Sequence, residues 1–302
     1  MLGVIGDVVQ DIVIWQLEPT QYASDTRSDI FTRRGGSAAN VAAFAGRRYP
    51  TRFIGCVGDD VAGVAVCQDL TRHGVEVRVQ QRGKTGVIVV LIDHDGERLM
   101  FPARGASAMI EPIEQAWLAD LELLHCPGYG LFGGSSAAST RDALARVAHS
   151  GALTSIDASS VGMINAVGAS EFLDLLVELS PDFLTANQDE CALLGLTENA
   201  AAGPNLGRLP STVLVARSGA EPTVIWQPGR DPVRVPVPPV SDIRDRTGAG
   251  DAFNAGFLTA YLSNGHHLPA ACREGHATAA RVLRSVGASE PADDPRRPTL
   301  SS

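Results

Sequence analysis

Residues 245–251 (DRTGAGD) combine side chains and backbone that together suit phosphoryl transfer. Gly248, Ala249 and Gly250 stand at the expected start of a helix, where backbone N–H groups approach a phosphate closely and the helix dipole favours its charge. Asp251 adds a carboxylate beside this anion site, which makes sense if it deprotonates a hydroxyl that attacks the phosphoryl group. Asp251 is alternatively an ordinary acidic residue in a first helical turn, and the spacing alone leaves both interpretations open.

Short apolar strands and helices alternate along most of the chain, and these elements must position the segment. This rhythm predicts an α/β fold in three layers, a mostly parallel sheet flanked by helices. Ligands of such a sheet bind beyond the carboxyl ends of its strands. Strands are predicted at 3–6, 12–14, 52–57, 121–125, 153–157, 183–186, 213–216, 223–226 and 233–237, and helices at 60–72, 137–149, 170–179, 188–194, 250–262 and 269–283.

Three strands in succession interrupt the alternation, at 75–79, 87–93 and 98–101, and predict a separate small sheet. We therefore expect one α/β domain over 1–302, with a discontinuous β lid built from about 12–34 and 84–104. The polar segment 16–34 and the hairpin around Asp95 and Gly96 are expected to close over the substrate and exclude water. The tail from Ser289 is rich in proline and charge, and is expected to be loosely ordered.

Composition excludes several classes of protein. The 302 residues are 44% hydrophobic, which supports a substantial core, and the net charge of −9 argues against nucleic-acid or anionic-membrane partners. Five scattered cysteines predict neither a disulfide framework nor a zinc site. The N-terminus lacks a signal-peptide pattern, and no apolar run approaches the roughly 20 residues of a membrane span. We expect a soluble, cytoplasmic protein with reduced thiols.

Several motifs resemble those of the ribokinase-like (phosphofructokinase B, PfkB) family of carbohydrate kinases. They follow one another in the family's order over nearly the whole chain. Residues 245–251, followed by AFNAGF, resemble its C-terminal signature, and residues 35–40 (GGSAAN) resemble its N-terminal signature. The similarity continues at 6–11 (GDVVQD), 187–190 (NQDE) and 218–221 (SGAE). The resemblance implies a ribokinase-like fold and ATP-dependent phosphorylation of an alcohol group. It also implies that Asp251 is the catalytic base and that Gly248, Ala249 and Gly250 form the anion hole.

The resemblance places the sugar against Asp11, Gly35, Gly36 and Asn40. Carboxylate and amide groups suit hydroxyl recognition, and paired glycines let a ligand lie against the backbone. The alternative is that Asp11 caps a turn and the glycines open a helix. Arg104, at the end of the lid segment, either binds a hydroxyl, a carboxylate or the transferring phosphate, or is a surface residue at the lid hinge.

Asn187 and Glu190 match the family motif that places phosphate and Mg²⁺-bound water. One carboxylate is enough for an ion that retains most of its waters, so Glu190 is the expected Mg²⁺ residue, acting through water. A capping box between the two residues is the alternative, and it is compatible with that role. Arg217 and Gly219 match the nucleotide-side loop, although Pro222 stands where relatives carry a second glycine.

Three further residues match peripheral parts of the family site. His276 falls on the late helix that helps form the adenine pocket, although a histidine there is often an ordinary packed residue. Asp245 and Thr247 match a region that binds a monovalent cation, such as K⁺, in several relatives.

The departures from ribokinases concern the sugar-facing positions. Ser37 stands where they carry lysine, and Val9 where they carry asparagine, which weakens the case for ribose. We predict a kinase that uses ATP and Mg²⁺ to phosphorylate a hydroxyl of a sugar or sugar-like molecule. A nucleoside kinase and a 2-keto-3-deoxygluconate-type kinase are alternatives, and a non-catalytic sugar-binding sensor is a third. Pairing of lids into a homodimer is a further expectation from the resemblance.

Overall fold

The computed structural model describes residues 1–95, 97–199 and 201–290. Gly96 of the predicted hairpin and the predicted tail beyond Glu290 lie outside these residues. The described strands are β1 (Leu2–Ile5), β2 (Val9–Gln16), β3 (Ser28–Gly35), β4 (Thr51–Val57), β5 (Val75–Gln81), β6 (Gly86–Ile92), β7 (Arg98–Ala103), β8 (Leu123–Pro127), β9 (Leu153–Asp157), β10 (Phe183–Asn187), β11 (Thr197–Glu198), β12 (Ala201–Ala202), β13 (Val213–Ser218), β14 (Glu221–Trp226) and β15 (Val233–Val235).

The helices confirm the predicted alternation, with ends that differ by a few residues. The helices at Gln115–Leu118 and Val161–Val167 and the short pair β11–β12 were not expected from the sequence. The helices are α1 (Ser37–Gly46), α2 (Val61–Arg72), α3 (Gln115–Leu118), α4 (Gly134–His149), α5 (Val161–Val167), α6 (Ala169–Leu179), α7 (Gln188–Leu193), α8 (Ala249–Ser263) and α9 (Leu268–Val282).

Nine strands form one large sheet in the order β15-β14-β13-β10-β9-β8-β1-β4-β5. In this order, every strand from β13 across to β5 is parallel to its neighbours, and β14 and β15 add an antiparallel edge beside β13. After β1 the chain builds outwards through β4 and β5, and later returns to the other side of β1 with β8. The switch between β1 and β8 is where a ligand is expected in an open α/β sheet.

Alternate residues of the sheet enter two hydrophobic cores, one on each face. Val4 and Phe53 pack in a core with α1, α8 and α9, and their neighbours Ile5 and Ile54 pack in a second core with α4 and α6. Strand β4 is buried along its whole length because helices cover both faces. The three-layer α/β prediction is therefore confirmed.

A second sheet of four strands, in the order β3-β2-β6-β7, is the predicted lid. Strand β2 pairs antiparallel with β3 and parallel with β6. The prediction that residues 75–79 belong to a small sheet is wrong, because β5 pairs in parallel with β4 in the large sheet. Strand β3 lies in the polar segment 16–34, which was assigned to the lid without a strand being predicted there, and the first strand of the lid begins at Val9 rather than near residue 12.

The lid has two unlike faces, because side chains alternate across a strand. Asp11, Ile88 and Pro102 lie in one cross-strand row, and this face lines the large cavity beside β1. Three rows further along, and therefore on the opposite face, Ile14, Leu91 and Leu99 lie in one row. One lid face therefore serves the cavity, and the other is outward and apolar.

Candidate active site

A cavity of about 1150 Å³ lies between the lid and the carboxyl ends of the parallel strands, at the switch point. It collects residues from the segment after β1, from β2, β9, β10 and β13, and from the starts of α1 and α8. Of the residues singled out from the sequence, two do not line the cavity, Gly35 and Asp245. Those that do are Asp11, Gly36, Asn40, Arg104, Asn187, Glu190, Arg217, Gly219, Thr247, Gly248, Ala249, Gly250, Asp251 and His276.

Asp251 lies in the first turn of α8, with its carboxylate held from the start of α1. Ser37 Oγ donates to Asp251 Oδ1 at 2.6 Å, and Asn40 Nδ2 donates to Oδ2 at 2.9 Å. Burial raises the pKa of Asp251 to about 7, although these two hydrogen bonds act in the opposite direction. The carboxyl group is therefore poised to exchange a proton near neutral pH.

Two glycines keep the approach to α8 open. Gly248 caps the helix in the left-handed region, with φ 76°, and a Cβ there would come within 2.5 Å of the Ala288 side chain. A Cβ on Gly250 would come within 2.9 Å of Arg217 Nη1. The first N–H groups of a helix have no partner within it, so this turn offers donors to an anion in the cavity.

The sugar-side residues are tied to both the lid and α1. Asp11 Oδ1, on β2, is buried without a hydrogen-bond partner among the described residues. Burial, opposed by Arg34 and Arg33 and reinforced by Asp7, raises the pKa of Asp11 to about 6. Gly35 pairs with Val9 on β2, and a Cβ on it would come within 2.1 Å of Asp11 Oδ1. Gly35 therefore makes room for the carboxylate of Asp11 instead of lining the cavity itself.

Asn40 has a fixed amide orientation. The guanidinium of Arg34 donates to Asn40 Oδ1, and its Nε donates to Asp69 Oδ2 at 2.9 Å. The Arg34 side chain is only 5% exposed. Because its carbonyl oxygen accepts from Arg34, Asn40 presents its NH₂ group to Asp251.

Arg104 lies at the cavity mouth, beside the residues that follow β8. Its Nη1 donates to the Tyr129 carbonyl oxygen at 3.3 Å, and its guanidinium lies 5.4 Å from the centre of the Tyr129 ring. Tyr129 also lines the cavity, and sequence reasoning did not select it. Arg104 is exposed in this position, so both sequence interpretations stay open.

Asn187 and Glu190 form the capping box that was the alternative interpretation of their spacing. Asn187 Oδ1 accepts from the Glu190 N–H at 2.9 Å, and Glu190 Oε2 accepts from the Asn187 N–H at 2.8 Å. Glu190 nevertheless lines the cavity. Burial, and then the nearby charge of Asp157, raises the pKa of Glu190 to about 7. A cation would lower that pKa by favouring the ionised carboxylate.

Asp157, at the end of β9, is a site residue that sequence reasoning missed. Its Oδ2 accepts from Arg217 Nη2 at 2.8 Å, Thr185 Oγ1 at 2.8 Å and Asn254 Nδ2 at 2.6 Å. Burial alone would raise the pKa of Asp157, but the Arg217 guanidinium and these hydrogen bonds lower it. The signal was available, because a carboxylate ending a parallel strand stands where ligands of such a sheet bind.

His276 lies at the far end of the cavity, on α9. It is 6% exposed, and its Nε2 shares a hydrogen bond of 2.8 Å with Thr223 Oγ1. Burial lowers the pKa of His276, which favours the neutral ring. The cavity wall nearby is apolar and is made by residues 237–240 together with Ile243, Ala279 and Leu283. This end therefore suits a flat, weakly polar group.

Asp245 and Thr247 lie where the loop before α8 meets the lid. Asp245 Oδ1 accepts from the Thr247 N–H at 2.7 Å, and Oδ2 accepts from the Gly287 N–H at 2.7 Å. Arg98, on β7 of the lid, reaches both Asp245 and Thr247.

None of the helices in the described ranges is long and apolar enough to cross a membrane.

Comparison with known proteins identifies the class to which this fold and site belong. Residues 1–295 match the model of the pfkB family carbohydrate kinases. The chain is 33% identical over 256 residues to the ATP-dependent ribose-1-phosphate kinase of Halopiger xanaduensis, covering 80% of this chain and 79% of that protein. It is 31% identical to the fructoselysine 6-kinase of Escherichia coli K12 (84% and 91%) and 28% identical to the adenosine kinase of Dictyostelium discoideum (81% and 76%).

Solved structures agree on the fold. The adenosine kinase of Sinorhizobium meliloti superposes with a TM-score of 0.80 at 25% identity, covering 96% of this chain and 95% of that one. An Escherichia coli structure named for ribokinase II, in complex with ATP and Mg²⁺, superposes with a TM-score of 0.81 at 21% identity (95% and 94%). The molecule is an ATP-dependent phosphotransferase with an alcohol group as acceptor. The chain belongs to the PfkB family of carbohydrate kinases, and it is a sugar or nucleoside kinase.

Proposed function

We propose that this kinase transfers the γ-phosphoryl group of ATP to a hydroxyl of a sugar or sugar-like molecule, with Asp251 as the general base. The observation that carries the proposal is the position of the Asp251 carboxylate. It stands in the first turn of α8, after Gly248 and Gly250, and is hydrogen-bonded to Asn40 on the sugar side. A pKa of about 7 lets the group accept the hydroxyl proton as the new O–P bond forms.

The remaining roles follow from the same geometry. Gly248, Ala249 and Gly250 line the cavity, and N–H groups of this turn would stabilise the charge on the transferring phosphoryl group. Ser37 and Asn40 hold the Asp251 carboxylate, so its orientation is set before a substrate arrives. Arg217 lies beside Gly250, where its charge is available to a phosphate on the nucleotide side.

The residues present fit ATP with Mg²⁺. Glu190 offers a cavity-lining carboxylate whose raised pKa reflects burial without a cation, and it would hold Mg²⁺ through water beside Asn187. Mg²⁺ held there would neutralise charge on the phosphate groups. The apolar wall near His276 and Leu283 supports adenine as the base, and Gly219 would let the nucleotide cross the end of β13.

The acceptor site joins one unsatisfied carboxylate to an apolar surface. The buried Oδ1 of Asp11 has no partner within the described part of the chain, and it suits a donor hydroxyl of the substrate. The lid adds Val9, Ile88 and Met100, which have no polar group to offer a sugar. This apolar surface supports the second candidate, a nucleoside, whose base needs such contacts. A sugar acid is the third acceptor, for which Arg104 would supply the charge.

Two further proposals concern the whole protein. The five cysteines are free thiols, four of them buried, which supports a cytoplasmic enzyme. The net charge of −9 supports small-molecule substrates instead of nucleic acid or an anionic membrane. The apolar outer face of the lid supports a homodimer, in which two copies cover Ile30, Leu99 and Phe101, each more than half exposed.

The test is a coupled assay of ADP release across sugars, sugar phosphates, sugar acids and nucleosides, followed by Asp251→Asn. This change keeps the shape and removes the basicity, so turnover on the best acceptor should fall by roughly 10²–10⁴-fold while its KM changes little. The matched control is Asp174→Asn on α6, an exposed aspartate paired with Arg208. The control should keep full turnover. Near-normal turnover in Asp251→Asn would overturn the mechanism, and no turnover of any acceptor by the unmodified protein would support the sensor alternative.

A further inference from the structure

Arg98 joins the lid to the loop that precedes α8. It lies at the start of β7, yet its Nη2 is 2.8 Å from Asp245 Oδ1 and its Nη1 donates to Thr247 Oγ1 at 2.6 Å. The Arg98 side chain is 36% exposed, whereas that of Asp245 is 3% exposed. The guanidinium therefore covers a buried carboxylate from the lid side.

Asp245 connects two chain segments at the edge of the anion site. Besides Arg98, its two carboxylate oxygens accept from the N–H groups of Thr247 and Gly287. Thr247 immediately precedes Gly248, the cap of α8. Moving Asp245 would therefore move the loop that aims the N–H groups of α8. A buried carboxylate also needs a compensating positive charge, since an unpaired one is costly.

Asp245 and Thr247 are the two residues for which the family resemblance implies a monovalent cation. In this chain, one side-chain oxygen of each residue, Asp245 Oδ1 and Thr247 Oγ1, is already bound by the Arg98 guanidinium. A K⁺ ion placed there would lie beside a fixed positive charge and would lose one carboxylate oxygen to it. The residues present do not fit an added monovalent cation while Arg98 is in place.

We propose that Arg98 is a built-in replacement for the monovalent cation, so that this kinase works without K⁺. Arg98 is a positioning residue: it does not touch the reacting atoms, and it acts through Asp245 and Thr247 on the turn at Gly248. Because its charge comes from the lid, the anion-binding turn is fully supported only when the lid lies over the cavity. This inference rests on the proposed function only where kcat is measured. The measurements of Mg²⁺–ADP affinity and Tm test it independently of that function.

The experiment compares the unmodified protein with Arg98→Ala and Arg98→Gln in KCl, NaCl and choline chloride at equal ionic strength. The unmodified protein should show the same kcat, Mg²⁺–ADP affinity and Tm in all three salts. Both variants should lose about 10- to 100-fold in kcat in choline, because the turn at Gly248 is misplaced. KCl, or a low concentration of guanidinium chloride, should restore much of that loss together with nucleotide affinity and Tm.

The matched control is Arg27→Ala, which removes an exposed arginine of the same lid, paired with Glu18. It should match the unmodified protein in every salt. Activation of the unmodified protein by K⁺, normal behaviour of the Arg98 variants in choline, or failure of every cation to rescue them would each overturn the proposal. Calorimetry with Mg²⁺–ADP and thermal unfolding do not need an acceptor. Failure of the proposed function, with no acceptor phosphorylated, is therefore distinguishable from failure of this inference.

Discussion

At the scale of single residues, the site depends on carboxylates held in unlike surroundings. Asp157 is paired with Arg217, which helps to hold its pKa low, whereas Asp251 has no cationic partner among the residues that the structure describes, and its pKa is raised to about 7. Burial acts to raise the pKa of both carboxyl groups, and the groups that contact each one decide its protonation state. The two carboxyl groups therefore differ: the partners of Asp157 favour its ionised form, whereas Asp251 can exchange a proton near neutral pH.

The first residue-scale prediction is a pH profile. Asp251 must be ionised to accept a proton, so kcat/KM should rise with pH below about 7 and level off above it. Glu190, whose pKa is also raised to about 7, is the rival source of this inflection. The profile of Glu190→Gln should keep the inflection at a lower rate, and the residual activity of Asp251→Asn should lack it. An inflection that survives in Asp251→Asn would assign the titration to another group.

At the scale of elements, the first turn of α8 contains two glycines that are needed for different reasons. Gly248 is needed for the backbone path, because its φ of 76° lies in the left-handed region and Ala288 leaves no room for a Cβ. Gly250 has no such φ, and its nearest obstacle is the tip of the flexible Arg217 side chain. Replacing each glycine with alanine should therefore have different consequences.

Gly248→Ala should lower stability, by about 1–2 kcal/mol from the left-handed backbone alone and by more if the contact with Ala288 is not relieved. Gly250→Ala should lower Tm less than Gly248→Ala and should lower kcat, because its methyl group meets only Nη1 of Arg217, whose Nη2 is paired with Asp157, and narrows the approach to the N–H groups. Thermal unfolding and steady-state kinetics of the two variants separate these effects. Equal losses of Tm in both would contradict the assignment of Gly250 to phosphate binding.

At the scale of the whole molecule, the lid connects the active site to the outer surface. One face carries Asp11 and Met100 towards the cavity, and the other carries Leu91 and Leu99 outwards. A four-stranded sheet with an apolar outer face is exposed unless something covers it. Because the two faces belong to one sheet, a second copy packed on the outer face would also hold the inner face over the substrate.

The homodimer is tested by sedimentation velocity. The unmodified protein should sediment as a dimer, and Leu99→Lys should shift it to monomer, because a charge would be buried among apolar side chains. Val177→Lys on α6 is the matched control at a partly exposed apolar position away from the lid, and it should stay dimeric. A monomeric unmodified protein, or a dimer that survives Leu99→Lys, would contradict the proposed interface.

The amino-acid sequence by itself determined the α/β class, the order of most of the elements and the glycine-rich motifs at residues 35–40 and 245–251. These features are local: they depend on the periodicity of apolar residues and on the backbone demands of a few glycines. Residues 75–79 marked the limit of this reasoning, because the partner of a strand is chosen by non-local pairing. The prediction that these residues form a strand was correct, and the prediction that the strand belongs to the small sheet was wrong.

Only the tertiary structure decided which distant groups meet. Arg98 and Thr247 are 149 positions apart, and Asp157 and Arg217 are 60 apart, so no local pattern contains either pair. The raised pKa of Asp251 likewise arises from burial among α1, α8 and the strand ends, which exists only after the chain has folded. Residue types and spacing can therefore nominate a base and an anion hole, but the charge balance that makes them work is a property of the assembled fold.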